Sequence, residues 1–94
     1  MDIVWRRVAL DDLEAARRYI AEHNPGAAAR VNAAILGSVG RLANHPSLGR
    51  PGRVDGTRKL VVPRTPYIVA YAVVDEQVMI LSVLHSARKW PDRF

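Results

Sequence analysis

The chain contains no cysteine. A disulfide frame, a thiolate nucleophile and a cysteine-ligated metal are therefore excluded. Its three histidines, His23, His45 and His85, have no mutual spacing that would gather a metal ion, so no metal is expected. Aromatic residues make up only 6% of the chain. Tyr67 and Tyr71 read as core or partner-contact residues rather than stacking platforms for bases. There is no Gly-x-Gly-x-x-Gly and no Walker spacing, so no phosphate-cradling loop and no cofactor is expected. No run approaches the ~18 apolar residues of a membrane span. The amino terminus, Met-Asp-Ile-Val-Trp-Arg-Arg, lacks the apolar run of a signal peptide. A soluble, cytoplasmic protein is the natural default.

Acidic residues are also scarce: 9 Asp and Glu against 14 Lys and Arg, for a net charge of +5. All but Lys59 and Lys89 of these cations are arginine, the better residue for planar contact with phosphate or carboxylate. Most of the excess sits in one place. Arg41, Arg50, Arg53, Arg58, Lys59 and Arg64 fall in a stretch whose one anion is Asp55. Such a basic loop suits RNA, DNA or an acidic protein. A plain solvated surface loop is the competing explanation.

What is present in quantity is apolar: 49% of 94 residues, enough for one folded domain with a thin core. Ile3, Val4 and Trp5 make a short strand candidate. From 10 to 23 the spacing of Leu13, Ala16 and Ile20 predicts a helix, with Asp11, Asp12 and Glu14 favouring the positive end of its dipole. Asn24 and Pro25 read as the cap and first residue of a second helix over about 25–43, striped by Ala28, Val31, Ile35, Val39 and Leu42. Gly37 and Gly40 inside it suggest close approach of another backbone.

Residues 44–57 form a basic loop; within it Pro46 and Pro51 forbid regular structure locally, and Gly49 and Gly52 supply turns. Three strands follow across 58–85. Tyr67–Val74 is apolar on both faces, as a central strand would be. In 78–85, simple alternation puts Met79, Leu81 and Val83 on the face of His85. Residues 86–94 are a basic tail with Arg88, Lys89, Trp90 and Arg93. The order is β-α-α-β-β-β, an α+β fold with a helix hairpin packed on a mainly antiparallel twisted sheet.

The helix hairpin, then Leu48-Gly49-Arg50, Gly56-Thr57-Arg58-Lys59-Leu60, Tyr67-Ile68-Val69-Ala70-Tyr71 and Val78-Met79-Ile80-Leu81-Ser82-Val83-Leu84-His85, resembles the RelE/ParE superfamily of toxins, nearer the ParE branch. The likeness covers nearly the whole chain. It implies the toxin half of a bacterial type II toxin–antitoxin pair, in a hetero-oligomer with a ParD-like, ribbon-helix-helix antitoxin whose acidic segment wraps the toxin. ParE-like members inhibit DNA gyrase by contact. RelE-like members cut mRNA on the ribosome.

Metal-free RNA cleavage needs groups for proton transfer and cations for the phosphorane. Lys59 or His85 could serve the first role, and Arg58, Arg64 or Arg88 the second. The nuclease pattern is incomplete, however. Tyr67 stands where an arginine is expected, residues 44–55 hold no glutamate, and Ser86 follows His85 in place of a tyrosine. The sequence therefore favours gyrase inhibition by contact, with the ribosome and mRNA as the alternative target. A third possibility is a toxin fold that has lost toxicity and only supports complex formation. Partner contact is expected at Arg50, Arg53, Arg58, Lys59, Tyr67, Tyr71, Arg88 and Trp90.

Overall fold

A computed structural model describes all 94 residues. The chain opens with β1 (Asp2–Trp5) and enters α1 (Arg7–Ala21) at once. The helix begins three residues earlier than its apolar spacing suggests, because Arg6 belongs to both elements. Arg6 stays extended and its N–H donates to Ile80 O at 3.0 Å, continuing the strand ladder up to the first helical residue. This start leaves the first turn without acidic residues. Asp11, Asp12 and Glu14 thus lie too far along to serve the dipole. Glu14 instead takes hydrogen bonds from Arg17 (2.7 and 3.0 Å) and Arg18 (3.0 Å). The Arg17 bond is the main cause of a carboxyl pKa lowered to about 2. That support is present above the ordinary carboxylate range and is lost as pH falls toward 2.

The second helix, α2 (Pro25–Arg41), starts as its sequence dictates: Asn24 accepts from the Ala27 N–H at 3.1 Å and Pro25 fills the first turn. Ala28, Ile35, Val39 and Leu42 are buried as the stripe requires. Gly37 and Gly40 do not meet another backbone. A Cβ at either would find nothing within 4 Å. Each costs the free helix on the order of 1 kcal/mol relative to alanine, with no return inside the chain.

The sheet has five strands, ordered β1-β5-β4-β3-β2, where β2 is Arg50–Pro51, β3 Arg58–Val61, β4 Tyr67–Val74 and β5 Gln77–His85. β1 runs parallel to β5, because the helix hairpin returns the chain to its starting end; the other pairings are antiparallel. β2 is a correction to the loop expected over 44–57. Pro51 is tolerated because this two-residue strand lies at the sheet edge, where no further strand needs its missing N–H.

The alternation of β5 also differs. Ala70 pairs with Ser82 but Tyr71 pairs with Ile80, so Leu81 is an extra residue in a β-bulge. The bulge changes the phase, and Val78 and Ile80 join Val83 and His85 on one face. Met79 lies on the other. Tyr67, Val69, Tyr71, Val78, Ile80 and Val83 form the core with Ala9, Ala16, Ile35, Val39 and Leu42 of the hairpin.

The chain itself covers the opposite face in part, leaving Val61 and Val74 54% and 48% exposed. Ala70, Ser82 and Leu84 are buried as well. Residues 86–94 turn back on this side, where Pro91 and Phe94 line a recess with Leu81 and Leu84. Trp90 meets Phe94 edge-on at 5.4 Å. No helix is long and apolar enough to cross a membrane.

The β4–β5 turn places both Asp75 (φ 50) and Glu76 (φ 61) in the left-handed region. That suits the twist of a two-residue hairpin but strains L-residues. Replacing Glu76 by glycine is expected to stabilise the fold by about 1 kcal/mol. A denaturant midpoint at or below that of the native chain would contradict this.

Candidate partner-binding surface

The basic loop is sewn to the sheet by one tyrosine. Tyr71 is fully buried in β4, and its hydroxyl donates to Pro46 O and accepts from the Gly49 N–H, each at 2.8 Å. Gly49 O then accepts from Arg58 Nη1 at 2.8 Å. Arg50 is thereby held opposite Lys59 in the β2–β3 pair. Tyr71 has no exposed surface to offer a partner in this fold. Its role is to fix the segment that carries Arg50.

The other expected contact residues are spread over several places. Tyr67 is 7% exposed and meets the His85 ring edge-on at 5.5 Å. Burial raises its phenol pKa, with a smaller contribution from Tyr19. Arg53 is engaged by the tail, with an Asp92 carboxylate at 3.1 Å and Trp90 O at 3.4 Å. Trp90 lies against Gly52: a Cβ on Gly52 would come within 3.1 Å of the indole and 2.5 Å of Thr57 Oγ1. Its Nε1 is the one buried side-chain polar atom without a hydrogen-bond partner. Arg88 is exposed at the start of the tail.

Of the groups considered for RNA cleavage, Arg58 and Lys59 stand apart from His85, while Arg88 stays beside it, its N–H donating to His85 O at 2.9 Å. Arg58 pairs opposite Tyr71 and His85 opposite Tyr67, on the two flanks of β4 and four residues apart along it. With ~3.3 Å per residue and ~4.8 Å between strands, their backbones are about 16 Å apart. The Arg58 guanidinium is already bonded to Gly49 O. By register, Lys59 shares the Ala70 side of the sheet, away from His85. His85 Nδ1 accepts the Ala87 N–H at 3.1 Å, a turn-forming contact. No three His, Asp or Glu side chains gather as a metal site would require.

The chain's ion pairs join Arg7 to Asp11, Arg17 and Arg18 to Glu14, and Arg53 to Asp92. Arg30, Arg41, Arg50, Arg58, Lys59 and Arg64 therefore have no carboxylate partner. Arg41, Arg50 and Lys59 line a recess of about 230 Å³ between α2 and the β2–β3 edge, together with Ser38. Arg30, Arg41 and Arg64 line a second, of about 720 Å³, between α2 and the β3–β4 turn. Arg30 was not expected at a partner surface, and Arg41 and Arg64 were expected there only as members of the basic stretch. The signal was available for the two on α2, since positions 27, 30, 34, 37 and 41 follow helical spacing on one flank.

Residues 3–90 match the model of the ParE toxin family, described as the ParE toxin of the type II toxin–antitoxin system parDE. The chain belongs to this family. Its curated relatives include Putative toxin Y4kP of Sinorhizobium fredii, 44% identical over 89 residues, covering 95% of this chain and 92% of the relative. Toxin RelE2 of Caulobacter vibrioides is 37% identical over 86 residues, covering 92% and 96%.

Among solved structures, the chromosomal ParDE system of P. aeruginosa superimposes with a TM-score of 0.83 at 27% identity, covering 90% of this chain and 95% of that one. The RelBE2 toxin–antitoxin complex of Mycobacterium tuberculosis gives a TM-score of 0.62 at 28% identity, covering 89% and 95%. The ParE-family chain thus has relatives named for both branches of the superfamily. Its order of two helices and a five-strand mixed sheet is that of the ParE-like fold.

Proposed function

We propose that this ParE-family toxin acts on DNA gyrase by protein–protein contact and is neutralised by a cognate antitoxin bearing an acidic segment. The observation that carries the first half is the separation of Arg58 and Lys59 from His85. His85 is packed on Tyr67 and hydrogen-bonded in a turn, while Arg58 is committed to Gly49 O. A phosphorane needs its cation and its proton-transfer group around one phosphorus. The second half is supported by toxin–antitoxin systems among the structural neighbours and by the uncompensated cations, which complement an acidic partner.

The test is a gyrase supercoiling assay with the purified chain and its His85→Ala variant. Both should inhibit supercoiling, to within about a factor of two of each other, since removing a structural histidine leaves the contact surface in place. Codon-specific mRNA cuts with gyrase unaffected, lost in His85→Ala, would replace this reading with ribosome-dependent cleavage. Folded, well-expressed protein that neither slows growth nor touches gyrase would mean the fold has lost toxicity.

A further inference from the structure

A recess of about 310 Å³ at the outer edge of β5 gathers charge that the chain leaves unbalanced. Arg6, Arg88 and Arg93 line it, and none of the three pairs with a carboxylate. They reach it from three parts of the chain. Arg6 is fixed where β1 passes into α1, its N–H bonded to Ile80 O at 3.0 Å. Arg88 is fixed in the turn after β5, its N–H bonded to His85 O at 2.9 Å. Arg93 arrives with the tail, which Trp90 seats beside Gly52 and Asp92 ties to Arg53.

Like charges drawn together by a fold repel unless an opposite charge lies among them. The one acidic residue in the recess does not supply it. Asp12 Oδ2 is taken by Ser82 Oγ and the Val83 N–H, and Asp12 forms no ion pair. The first turn of α1 holds no acidic residue either, so nothing on that side offsets the arginines. Beside the cations the walls are apolar, built from Val8, Leu81, Leu84, Pro91 and Phe94. The volume falls at the small end of the ~300–1,000 Å³ range of ligand pockets.

We propose that this recess binds a nucleotide, its phosphate held by Arg6, Arg88 and Arg93 and its base laid on the apolar wall at Leu84 and Phe94. The inference goes beyond the proposed function and does not depend on it. A side-chain carboxylate has a single charge, which one guanidinium fork satisfies. A terminal phosphate carries nearly twice that charge on three acceptor oxygens, which suits several guanidiniums around it. A sugar phosphate would need neutral polar groups for its hydroxyls. Ser82 is the only such side chain in the recess, and it is already bonded to Asp12. A base has apolar faces that match the wall. No glycine loop takes part, because the arginines supply the contacts.

The test is isothermal titration calorimetry of the chain with ADP, which should show saturable binding at one site. Adenosine alone and inorganic phosphate alone should each bind roughly tenfold more weakly or worse, since each uses only part of the recess. Arg6→Gln with Arg93→Gln should melt within a few degrees of the parent chain and weaken ADP binding roughly 30-fold. Arg30→Gln with Arg64→Gln removes the same charge from the groove beside α2 and should leave ADP affinity within about a factor of two. Trp90→Ala keeps every arginine but frees the tail, and should weaken ADP binding roughly fivefold by undoing the preorganisation of Arg93.

Binding of single-stranded oligothymidylate in place of ADP, lost in the Arg6 and Arg93 double variant, would uphold the site and make a strand the source of its nucleotide. Absence of binding by both ADP and oligothymidylate would overturn the proposal. An equal loss in the Arg30 and Arg64 double variant would reduce the effect to net charge and overturn it too. A hexaglutamate peptide that binds as tightly as ADP would replace the phosphate with carboxylates. Gyrase inhibition by a chain that binds no nucleotide would leave the proposed function standing without this site.

Discussion

Replacing Gly49 by alanine is expected to destabilise the fold by about 3 kcal/mol, at the upper end of ordinary overpacking. A Cβ at this position would stand 2.7 Å from Tyr71 Cε1, 2.8 Å from the Tyr71 hydroxyl oxygen and 2.8 Å from the backbone oxygen of Lys59. None of the three can give way. The ring is fully buried in the central strand, and Lys59 is fixed in the β3 ladder. Either the loop lifts off the sheet and loses the Gly49 N–H to Tyr71 hydrogen bond, or β3 and β4 spread. A domain of this size has ~5–15 kcal/mol to lose, so a fall in melting temperature of roughly 10–20 °C should follow. A change under about 3 °C would mean that the loop shifts freely and that the tyrosine does not anchor it.

Tyr71→Phe separates the hydrogen bonds from the steric contact. It leaves Pro46 O and the Gly49 N–H without their shared partner and is expected to cost about 2 kcal/mol. Combined with Gly49→Ala it should cost less than the two losses added, because one of the colliding atoms and the bond at risk are already gone. The consequence reaches the binding surface. Arg50 follows Gly49 directly, and Arg58 donates to the Gly49 oxygen, so either change should also loosen the cations that a partner meets.

The architecture was legible where local chemistry and hydrophobic period agree. Asn24-Pro25 fixes the start of α2, and the apolar character of both faces of Tyr67–Val74 marks the central strand, with helices over one side. Three features were not legible, each for the same physical reason: they are set by contacts distant in sequence. The start of α1 is decided by Arg6 bonding to Ile80, with no capping side chain to announce it. The phase of β5 is decided by a bulge at Leu81 that no glycine marks. Tyr71 looked like a contact residue because its hydroxyl partners lie in an irregular loop 22 and 25 positions earlier. The candidate surface suffered likewise. Counting cations located the loop of Arg50, but only packing shows that Arg53 is taken by Asp92 and that Arg30, Arg41 and Arg64 share a groove.

Asp12→Ala should be the other large loss, about 3 kcal/mol, through the same bulged segment of β5. β1 stops pairing with β5 at Trp5 and Ile80, so beyond that point the outer edge of β5 has no neighbouring strand. α1 runs beside it, and a single Asp12 oxygen, Oδ2, accepts from Ser82 Oγ at 2.6 Å and from the Val83 N–H at 3.0 Å. Ser82 and Val83 are both buried, at 6% and 4% exposure, so water cannot easily replace the carboxylate. Alanine therefore leaves two buried donors unmet, and one of them is a backbone N–H that cannot turn elsewhere.

Asp12→Asn keeps an acceptor oxygen and should cost about 1 kcal/mol, as a neutral bond replaces a charge-assisted one. Ser82→Ala in the Asp12→Ala background should recover part of the loss by removing one orphaned donor. Amide exchange gives the most direct reading. The Val83 N–H should become one of the faster-exchanging amides of β5 in Asp12→Ala while those of Val69 and Tyr71 in β4 keep their protection. If Val83 kept its protection, the carboxylate would be a surface ornament. β5 would then hold its edge through the bulge alone.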